Sequence, residues 1–372
     1  MTRTGFYSDE KTFWHGGLSS TVLTLPVGGW VQPPSGVSGV DTPDTKRRLL
    51  NLINASGLMK RLSPGESDPV TIDDLLRVHT RDYLDRFKAV SDAGGGELGP
   101  AAAFGPGGFE IAQVSAGLAK AAIDDVISGR VDNAYALCRP CGHHCLPDQP
   151  MGSCLFANIP VALEAAMAKH GHRRVAIVDW DVHHGNGTQA IYYDRDDVLT
   201  ISVHQDRCFP FGYGGLEDRG DGKGQGFNIN IPLPPGSGHD TYLHAFETIV
   251  VPALEAFAPE VLVIASGLDA SAVDPLSRML LHSETFRALT TLMKTVAQTH
   301  CEGRLIVVHE GGYSEAYVPF CGHAIVEALS GQSTEVTDPT LEVFQAWQPN
   351  DRVLAFHREL IADMAAHIAR TA

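Results

Sequence analysis

The sequence predicts an α/β protein built around a parallel β-sheet, and two patterns support this prediction. Short apolar runs rich in β-branched residues recur along the 372-residue chain, as expected for parallel strands that are covered on both faces. Stretches with helical spacing separate these runs, and strands alternating with helices are typical of α/β domains. Since no internal repeat or clean linker interrupts the pattern, we predict one domain over residues 1–372.

Five apolar runs are the predicted strands. Each is short and is followed at once by polar residues. Ligands of open α/β sheets bind beyond the carboxyl ends of the strands, and four of the five runs carry their strongest polar groups there. We therefore expect these groups to converge on one site. The predicted strands span residues 134–138, 175–178, 198–203, 261–265 and 305–308.

Two stretches between the strands show helical spacing, with apolar residues three or four positions apart. Gly129 follows the first stretch and is a typical helix stop. Two glycine-rich segments, 94–108 and 206–226, are long enough to be functional rims instead of domain boundaries. The first helical face consists of Val114, Leu118, Ala122 and Val126, and the second of Phe286, Leu289, Met293 and Val296.

The composition indicates which kinds of molecule the protein is expected to bind. The formal net charge of −16 disfavours direct nucleic-acid binding, because phosphates require a basic surface. An acidic rim would attract a cationic substrate, although the same charge also keeps a protein in solution. No run of eighteen apolar residues predicts a membrane span. The seven cysteines, odd in number, favour a reducing cytoplasm.

The run Asp179-Trp-Asp-Val-His183 is a candidate metal site. If the chain is extended there, residues 179, 181 and 183 point to one side, and Asp269 at another strand end can supply a further carboxylate. A mixed set of carboxylates and imidazole fits a catalytic zinc that keeps an open position for water. Asp179 and Asn186 could instead orient neighbouring histidines.

Candidate acid–base and oxyanion groups follow two other strands. His143 and His144 could take a proton from a water molecule and return it to a leaving amine, because imidazole titrates near neutral pH. Tyr313 follows Glu310-Gly-Gly, a turn that could present its phenol to a developing oxyanion. A surface histidine pair and a structural tyrosine are the plainer alternatives. The position at the metal edge favours function.

Four ordered motifs carry a resemblance to a known family. They are GHH at 142–144, DWDVHHGNGT at 179–188, SGLDAS at 266–271 with DPL at 274–276, and EGGY at 310–313. With them, nearly the whole chain resembles the histone deacetylase family, in particular class II and its bacterial histone-deacetylase-like amidohydrolases. The resemblance implies an arginase/deacetylase fold, with a central parallel sheet of about eight strands and helices on both faces.

The resemblance also implies metal ions and roles for the site residues. His144 would be the general base and acid, His143 mainly electrostatic and paired to Asp179, and Asn186 the support of the second histidine. Tyr313 would polarise the acyl carbonyl. The ligands of one catalytic zinc would be Asp181, His183 and Asp269, although ligand type alone does not separate zinc from iron(II). Those of a structural potassium would be Asp179, Asp181, His183, Ser202 and Val203, by backbone or side chain.

Departures from the family pattern concern the substrate channel. Phe209 matches one of the two aromatic rings that usually wall it, whereas Ser153, after Gly152, stands where the other ring is expected. We therefore predict a wider or more polar acyl channel. Cys141 replaces a second proline, and Cys145 follows the histidines. We predict both to be packing residues, although a thiol beside an imidazole can be redox-sensitive.

The predicted function is a zinc-dependent amidohydrolase that removes acetyl, or larger acyl, groups from lysine-like amines of a peptide, a protein or a small molecule. An acetylpolyamine amidohydrolase is the alternative, which Leu276 disfavours because polyamine enzymes can carry an acidic residue there. A two-manganese ureohydrolase would need a carboxylate at Ser271, and a non-catalytic binder would be expected to lose Tyr313 or a histidine. We also expect a bacterial origin and a possible homo-oligomer.

Overall fold

The computed structural model describes residues 2–17, 20–21, 25–29, 31, 41–171 and 174–370. The strands are β1 (Thr4–Tyr7), β2 (Ser20–Thr21), β3 (Leu25–Pro26), β4 (Ser63–Gly65), β5 (Gly96–Glu97), β6 (Ala103–Phe104), β7 (Asn133–Ala136), β8 (Val175–Asp179), β9 (Val198–Gln205), β10 (Asn228–Leu233), β11 (Val261–Ser266) and β12 (Leu305–His309). The α-helices are α1 (Asp44–Ala55), α2 (Ile72–Leu75), α3 (Arg81–Asp92), α4 (Gly108–Ile127), α5 (Asn158–His170), α6 (Asn186–Tyr192), α7 (His239–Ala245), α8 (Val251–Phe257), α9 (Ser283–His300), α10 (Val318–Ser330), α11 (Leu341–Ala346) and α12 (Asp351–Arg370).

Eight strands form one parallel sheet in the order β10-β9-β8-β11-β12-β7-β1-β4. The sheet confirms the fold class and all five strands predicted from apolar runs. The other three, β1, β4 and β10, escape that pattern because they are short or carry polar residues, as in Asn228–Leu233. The pairs β2–β3 and β5–β6 form two small antiparallel ribbons outside the sheet.

Helices cover both faces of the sheet, as alternate residues of the central strands show. Leu262 and Ile264 of β11 pack into a hydrophobic core with α1, α9 and α10. Val263 and Ala265 of the same strand pack into a second core with α4 and α5. The two predicted helical faces are confirmed, because they belong to α4 and α9. Burial on both sides explains why the strand sequences are almost continuously apolar.

Two further features concern the class of protein. No helix in the described part of the chain combines the length and the apolar character that crossing a bilayer requires. All seven cysteines lie within the described residues, and none forms a disulfide. The expected cytoplasmic location remains a prediction.

Candidate active site

The polar clusters meet at the carboxyl edge of four neighbouring strands. β8, β11, β12 and β7 are consecutive in the sheet, and each is followed by part of one buried cluster. Asp179 is the last residue of β8, and His309 is the last residue of β12. The sheet therefore brings together residues that are far apart in the chain, as its topology predicts.

Asp181, His183 and Asp269 form a compact buried triad. One ligand atom from each lies within 4.8 Å of the others. His183 Nδ1 is 3.1 Å from Asp181 Oδ1 and 3.1 Å from Asp269 Oδ2. Both carboxylates are fully buried. Two carboxylates held this close inside a protein require a compensating cation, so the donor set fits a divalent metal such as zinc.

The alternation predicted for residues 179, 181 and 183 is only partly right. β8 ends at Asp179, and the chain then bends instead of continuing as a strand. The bend is stabilised by carboxylates, because Asp179 Oδ1 accepts the Asp181 N–H at 3.0 Å and Asp269 Oδ1 accepts the Val182 N–H at 2.9 Å. As a result, Asp181 and His183 join Asp269, whereas Asp179 faces His143.

His143 and His144 lie side by side with different partners. Their ring centroids are 3.9 Å apart. His143 Nδ1 is 3.0 Å from Asp179 Oδ2, and His144 Nδ1 is 2.8 Å from Asn186 Oδ1. Burial alone would lower the pKa of His143, but the negative charges of Asp181 and Asp179 outweigh it and raise this pKa well above 6.5. Burial and the neighbouring charge of His143 lower the pKa of His144 well below 6.5.

The Asn186 contact also fixes the protonation of His144. An amide oxygen accepts a hydrogen bond, so His144 Nδ1 carries the proton and donates it. The lone pair of a neutral imidazole is then on Nε2. His144 is thus a neutral group with a free basic nitrogen beside the triad, which is what a general base requires.

Tyr313 lies near the triad, with its ring centroid 6.4 Å from that of His183. Its backbone N–H donates to Asp274 Oδ2 at 2.8 Å, and Gly312 before it has a φ of 125° that favours glycine. Burial and the nearby charge of Asp269 raise the pKa of Asp274 to about 7. The turn places the Tyr313 ring near His183 of the triad, and its role as an oxyanion donor remains a prediction.

Comparisons with known proteins give the family. A family model described as the histone deacetylase domain matches residues 40–329. The chain belongs to the histone deacetylase family. This is the family that the four sequence motifs indicate.

Relatives cover from 78% to 100% of this deacetylase-family chain. A histone deacetylase-like amidohydrolase of Pseudomonas aeruginosa is 59% identical over 364 residues, covering 98% of this chain and 96% of the relative. A probable deacetylase of Archaeoglobus fulgidus is 35% identical, covering 78% of this chain and 81% of the relative. The crystal structure of the HDA15 HD domain is similar with a TM-score of 0.81 and 28% identity, covering 100% of both chains.

Sequence reasoning missed what two carboxylates do in this deacetylase-family site. Glu310 is fully buried, and its Oε2 accepts the backbone N–H groups of Gly142 at 2.7 Å and His143 at 3.2 Å. It therefore holds the segment that carries the histidine pair. Asp274 orients Tyr313 through the backbone. Glu310 belongs to the EGGY motif and Asp274 to the DPL motif. The sequence feature that could have indicated their roles is a carboxylate directly before a pair of glycines or before a proline.

Of the candidate channel residues, Phe209 and Gly152 contact His144. Phe209 stands perpendicular to His144, with ring centroids 5.1 Å apart. Gly152 lies against both rings, because a Cβ there would be 2.4 Å from His144 Cδ2 and 2.8 Å from Phe209 Cε1. Ser153 follows with a positive φ of 63°. Leu276 is on the surface and 38% exposed.

Two of the residues assigned to potassium, Ser202 and Val203, belong to β9, the strand that pairs with β8. Ser202 of β9 is the register partner of Asp179 in β8, so their backbones are adjacent. The Ser202 hydroxyl is 2.9 Å from His204 Nδ1 and Val203 is fully buried. The potassium assignment remains a prediction.

Proposed function

We propose that this protein is a zinc-dependent deacylase that hydrolyses an amide on a lysine-like side chain. The observation that carries the proposal is the buried triad of Asp181, His183 and Asp269 next to a histidine with a free basic nitrogen. Membership of the histone deacetylase family supports it, since the relatives are named as deacetylases and amidohydrolases.

The proposed reaction uses residues at three sides of the site. Asp181, His183 and Asp269 would hold the zinc. Zinc in such a site acts as a Lewis acid and lowers the pKa of water from 15.7 to about 7. His144 Nε2 takes the proton from the attacking water and later delivers it to the leaving amine. His143, kept positive by Asp179, stabilises negative charge as it develops.

Tyr313, whose ring lies 6.4 Å from that of His183, is the proposed oxyanion donor. Its hydroxyl would donate a hydrogen bond to the acyl oxygen in the transition state. Loss of one such donor typically lowers kcat by about 10²–10³-fold. The chain as a whole has a formal net charge of −16, and this negative charge would favour the approach of a cationic amine.

The variant Tyr313→Phe tests this assignment. We expect its kcat on an acetyl-lysine peptide to fall by about 10²–10³-fold, while its zinc content, measured by elemental analysis, stays at that of the unmodified protein. Tyr213→Phe is the matched control, because Tyr213 is a rim residue that is 44% exposed. Equal turnover of both variants would remove Tyr313 from the mechanism.

The substrate is proposed to be an acyl-lysine with room for an acyl group larger than acetyl. Ser153 replaces the expected ring, and Phe209 is left as one wall beside His144. Ser153→Phe should lower the butyryl-to-acetyl ratio of kcat/KM by about tenfold or more, because a methylene without space costs about 1–3 kcal/mol. Both substrates are measured on the same variant, so any backbone strain cancels in the ratio. An unchanged ratio would remove Ser153 from acyl selection.

Acetylputrescine separates this proposal from the polyamine alternative. Leu276 offers no charge to the second ammonium of a polyamine, so we expect faster cleavage of acetyl-lysine peptide than of acetylputrescine. The opposite order would assign the protein to the polyamine enzymes. Removal of zinc with a chelator should abolish turnover of both, and added zinc should restore it.

A further inference from the structure

Two thiols meet next to the histidine pair. Cys141 Sγ and Cys154 Sγ are 3.3 Å apart, in van der Waals contact but not bonded. Cys154 is fully buried and Cys141 is 6% exposed. One precedes the GHH motif by a single position, and the other directly follows Ser153. The pair thus joins the segment that carries the catalytic histidines to the candidate channel wall.

The contacts of the pair lead into the site from both sides. The backbone N–H of His144 donates to Cys154 Sγ at 3.4 Å. The carbonyl oxygen of Gly152 lies 3.5 Å from Cys154 Sγ and 3.9 Å from Cys141 Sγ. A Glu310 carboxylate oxygen is within 4.8 Å of both sulfurs. A displacement of either sulfur would therefore displace groups that contact His144.

Competing explanations for the pair fit less well. Cys138 stands three positions before Cys141, but its thiol donates to the Ser115 carbonyl at 3.3 Å. A tetrahedral metal with both thiolates and Glu310 would hold the sulfurs about 3.8 Å apart, given metal–sulfur bonds of about 2.3 Å. The observed 3.3 Å is shorter, so the geometry favours direct sulfur–sulfur chemistry.

We propose that Cys141 and Cys154 form a reversible disulfide that inactivates the enzyme when a peroxide is present. The thiolate of Cys141 attacks one oxygen of hydrogen peroxide, the O–O bond breaks, and the released hydroxide takes a proton to become water. The resulting sulfenic acid is attacked at sulfur by Cys154, whose proton leaves with the sulfenic oxygen as a second water. Two thiols lose two electrons and the peroxide gains them.

Disulfide formation would disturb the site by a calculable amount. A disulfide bond is about 2.05 Å long, so the sulfurs must approach by about 1.2 Å from their separation of 3.3 Å. The Cys141 side has little freedom, because a Cβ on the adjacent Gly142 would lie 2.6 Å from the Asn158 nitrogen. The movement therefore falls on the segment that includes Gly152, which packs against His144. A shift of about 1 Å in a catalytic group can lower turnover by about 100-fold.

The reaction should depend on pH. Burial raises the pKa of the Cys154 thiol well above its usual value. Because thiolate is the reactive form, the attack of Cys154 on the sulfenic acid should accelerate as the pH rises from 7 towards about 9. The pair would therefore respond to sustained oxidant exposure more than to brief pulses.

The test uses the zinc-loaded protein, reduced and then exposed to hydrogen peroxide. We expect an intact-mass loss of about 2 Da, a Cys141–Cys154 crosslinked peptide in a non-reducing digest, and a fall in turnover of about 10–100-fold that dithiothreitol reverses. Cys141→Ala and Cys154→Ala, each compared with its own untreated activity, should lose neither the 2 Da nor the activity.

Cys208→Ala is the control, because Cys208 is the half-buried cysteine and lies near His183. This variant should stay sensitive to peroxide. The proposal is overturned if Cys208→Ala is protected, if the crosslink joins Cys138 to Cys141, or if turnover falls without the mass loss. The mass and digest do not require a deacylase assay, so they test the disulfide even if the proposed function is wrong.

Discussion

Gly152→Ala tests whether the candidate channel wall holds His144 in place. Gly152 has a φ of 54°, and its missing Cβ would point at two rings. The distance from that Cβ would be 2.4 Å to His144 Cδ2 and 2.8 Å to Phe209 Cε1. Both are far below ordinary carbon contacts of about 3.5–4.0 Å. The alanine can fit only if both rings, or the backbone of the Gly152 segment, move.

The size of the effect follows from these distances. To restore both contacts to about 3.5 Å with the backbone in place, His144 must retreat by about 1.1 Å and Phe209 by about 0.7 Å. Since misplacement of a catalytic group by about 1 Å can cost about 100-fold, we expect kcat/KM to fall by about 30–100-fold. The positive φ adds about 1 kcal/mol of backbone strain, which affects stability. The triad does not touch Gly152 in these contacts, so zinc content should not change.

Gly212→Ala is the matched control for backbone strain. Gly212 lies in the neighbouring rim segment with a φ of 85°, and no atom lies within 4 Å of its would-be Cβ. This variant should therefore show the loss of stability without the loss of turnover. The measurements are kcat/KM on an acetyl-lysine peptide, elemental zinc content and Tm. If Gly152→Ala keeps its turnover within about threefold of that of Gly212→Ala, Gly152 does not position His144.

Two further variants test the core and a buried charge. Burial alone would raise the pKa of Asp41, but Arg139 and other neighbouring charges lower it to about 2, so Asp41→Asn should lower the free energy of unfolding at pH 7 by about 2 kcal/mol. That contribution is present above pH 3.8 and is lost as the pH falls towards about 2. The measurement is the difference in the free energy of unfolding between the unmodified protein and the variant, from urea unfolding at several pH values. A difference that stays constant down to about pH 3 would contradict the assignment. Gly322→Ala in α10 should lower Tm and cost about 1–3 kcal/mol, although alanine favours helices, because its Cβ would lie 2.5 Å from Leu49 Cδ2. A raised Tm in thermal unfolding would refute this reasoning.

The centre of the sheet could be predicted from sequence because its signal is strong there. β8, β11 and β12 are buried on both faces, so their residues are almost all apolar. β4 could not be predicted, because Ser63–Gly65 has three residues and includes a proline. Its strand conformation comes from pairing with β1, a contact between distant segments that no local pattern records.

The site was predictable in its residue types and not in its geometry. The triad and the histidine pair stand out because carboxylates and imidazoles follow apolar strands. The bend after Asp179 was not predictable, since the carboxylate of Asp269 that stabilises it is 87 residues from its Val182 partner. The contact of Cys141 with Cys154 was not predictable either, because it depends on how the channel segment folds back over the histidines.

The separation of the triad along the chain has a consequence for biosynthesis. His183 and Asp269 are 86 residues apart, and β8 and β11, which carry the two halves, are neighbours in the sheet. A ribosome delivers the N-terminal half first, so a nascent chain exposes Asp181 and His183 well before Asp269 emerges. The triad closes only after β11 has paired with β8. Completion of the triad is therefore a late event in the synthesis of this protein, because it requires the whole of the chain from β8 through Asp269.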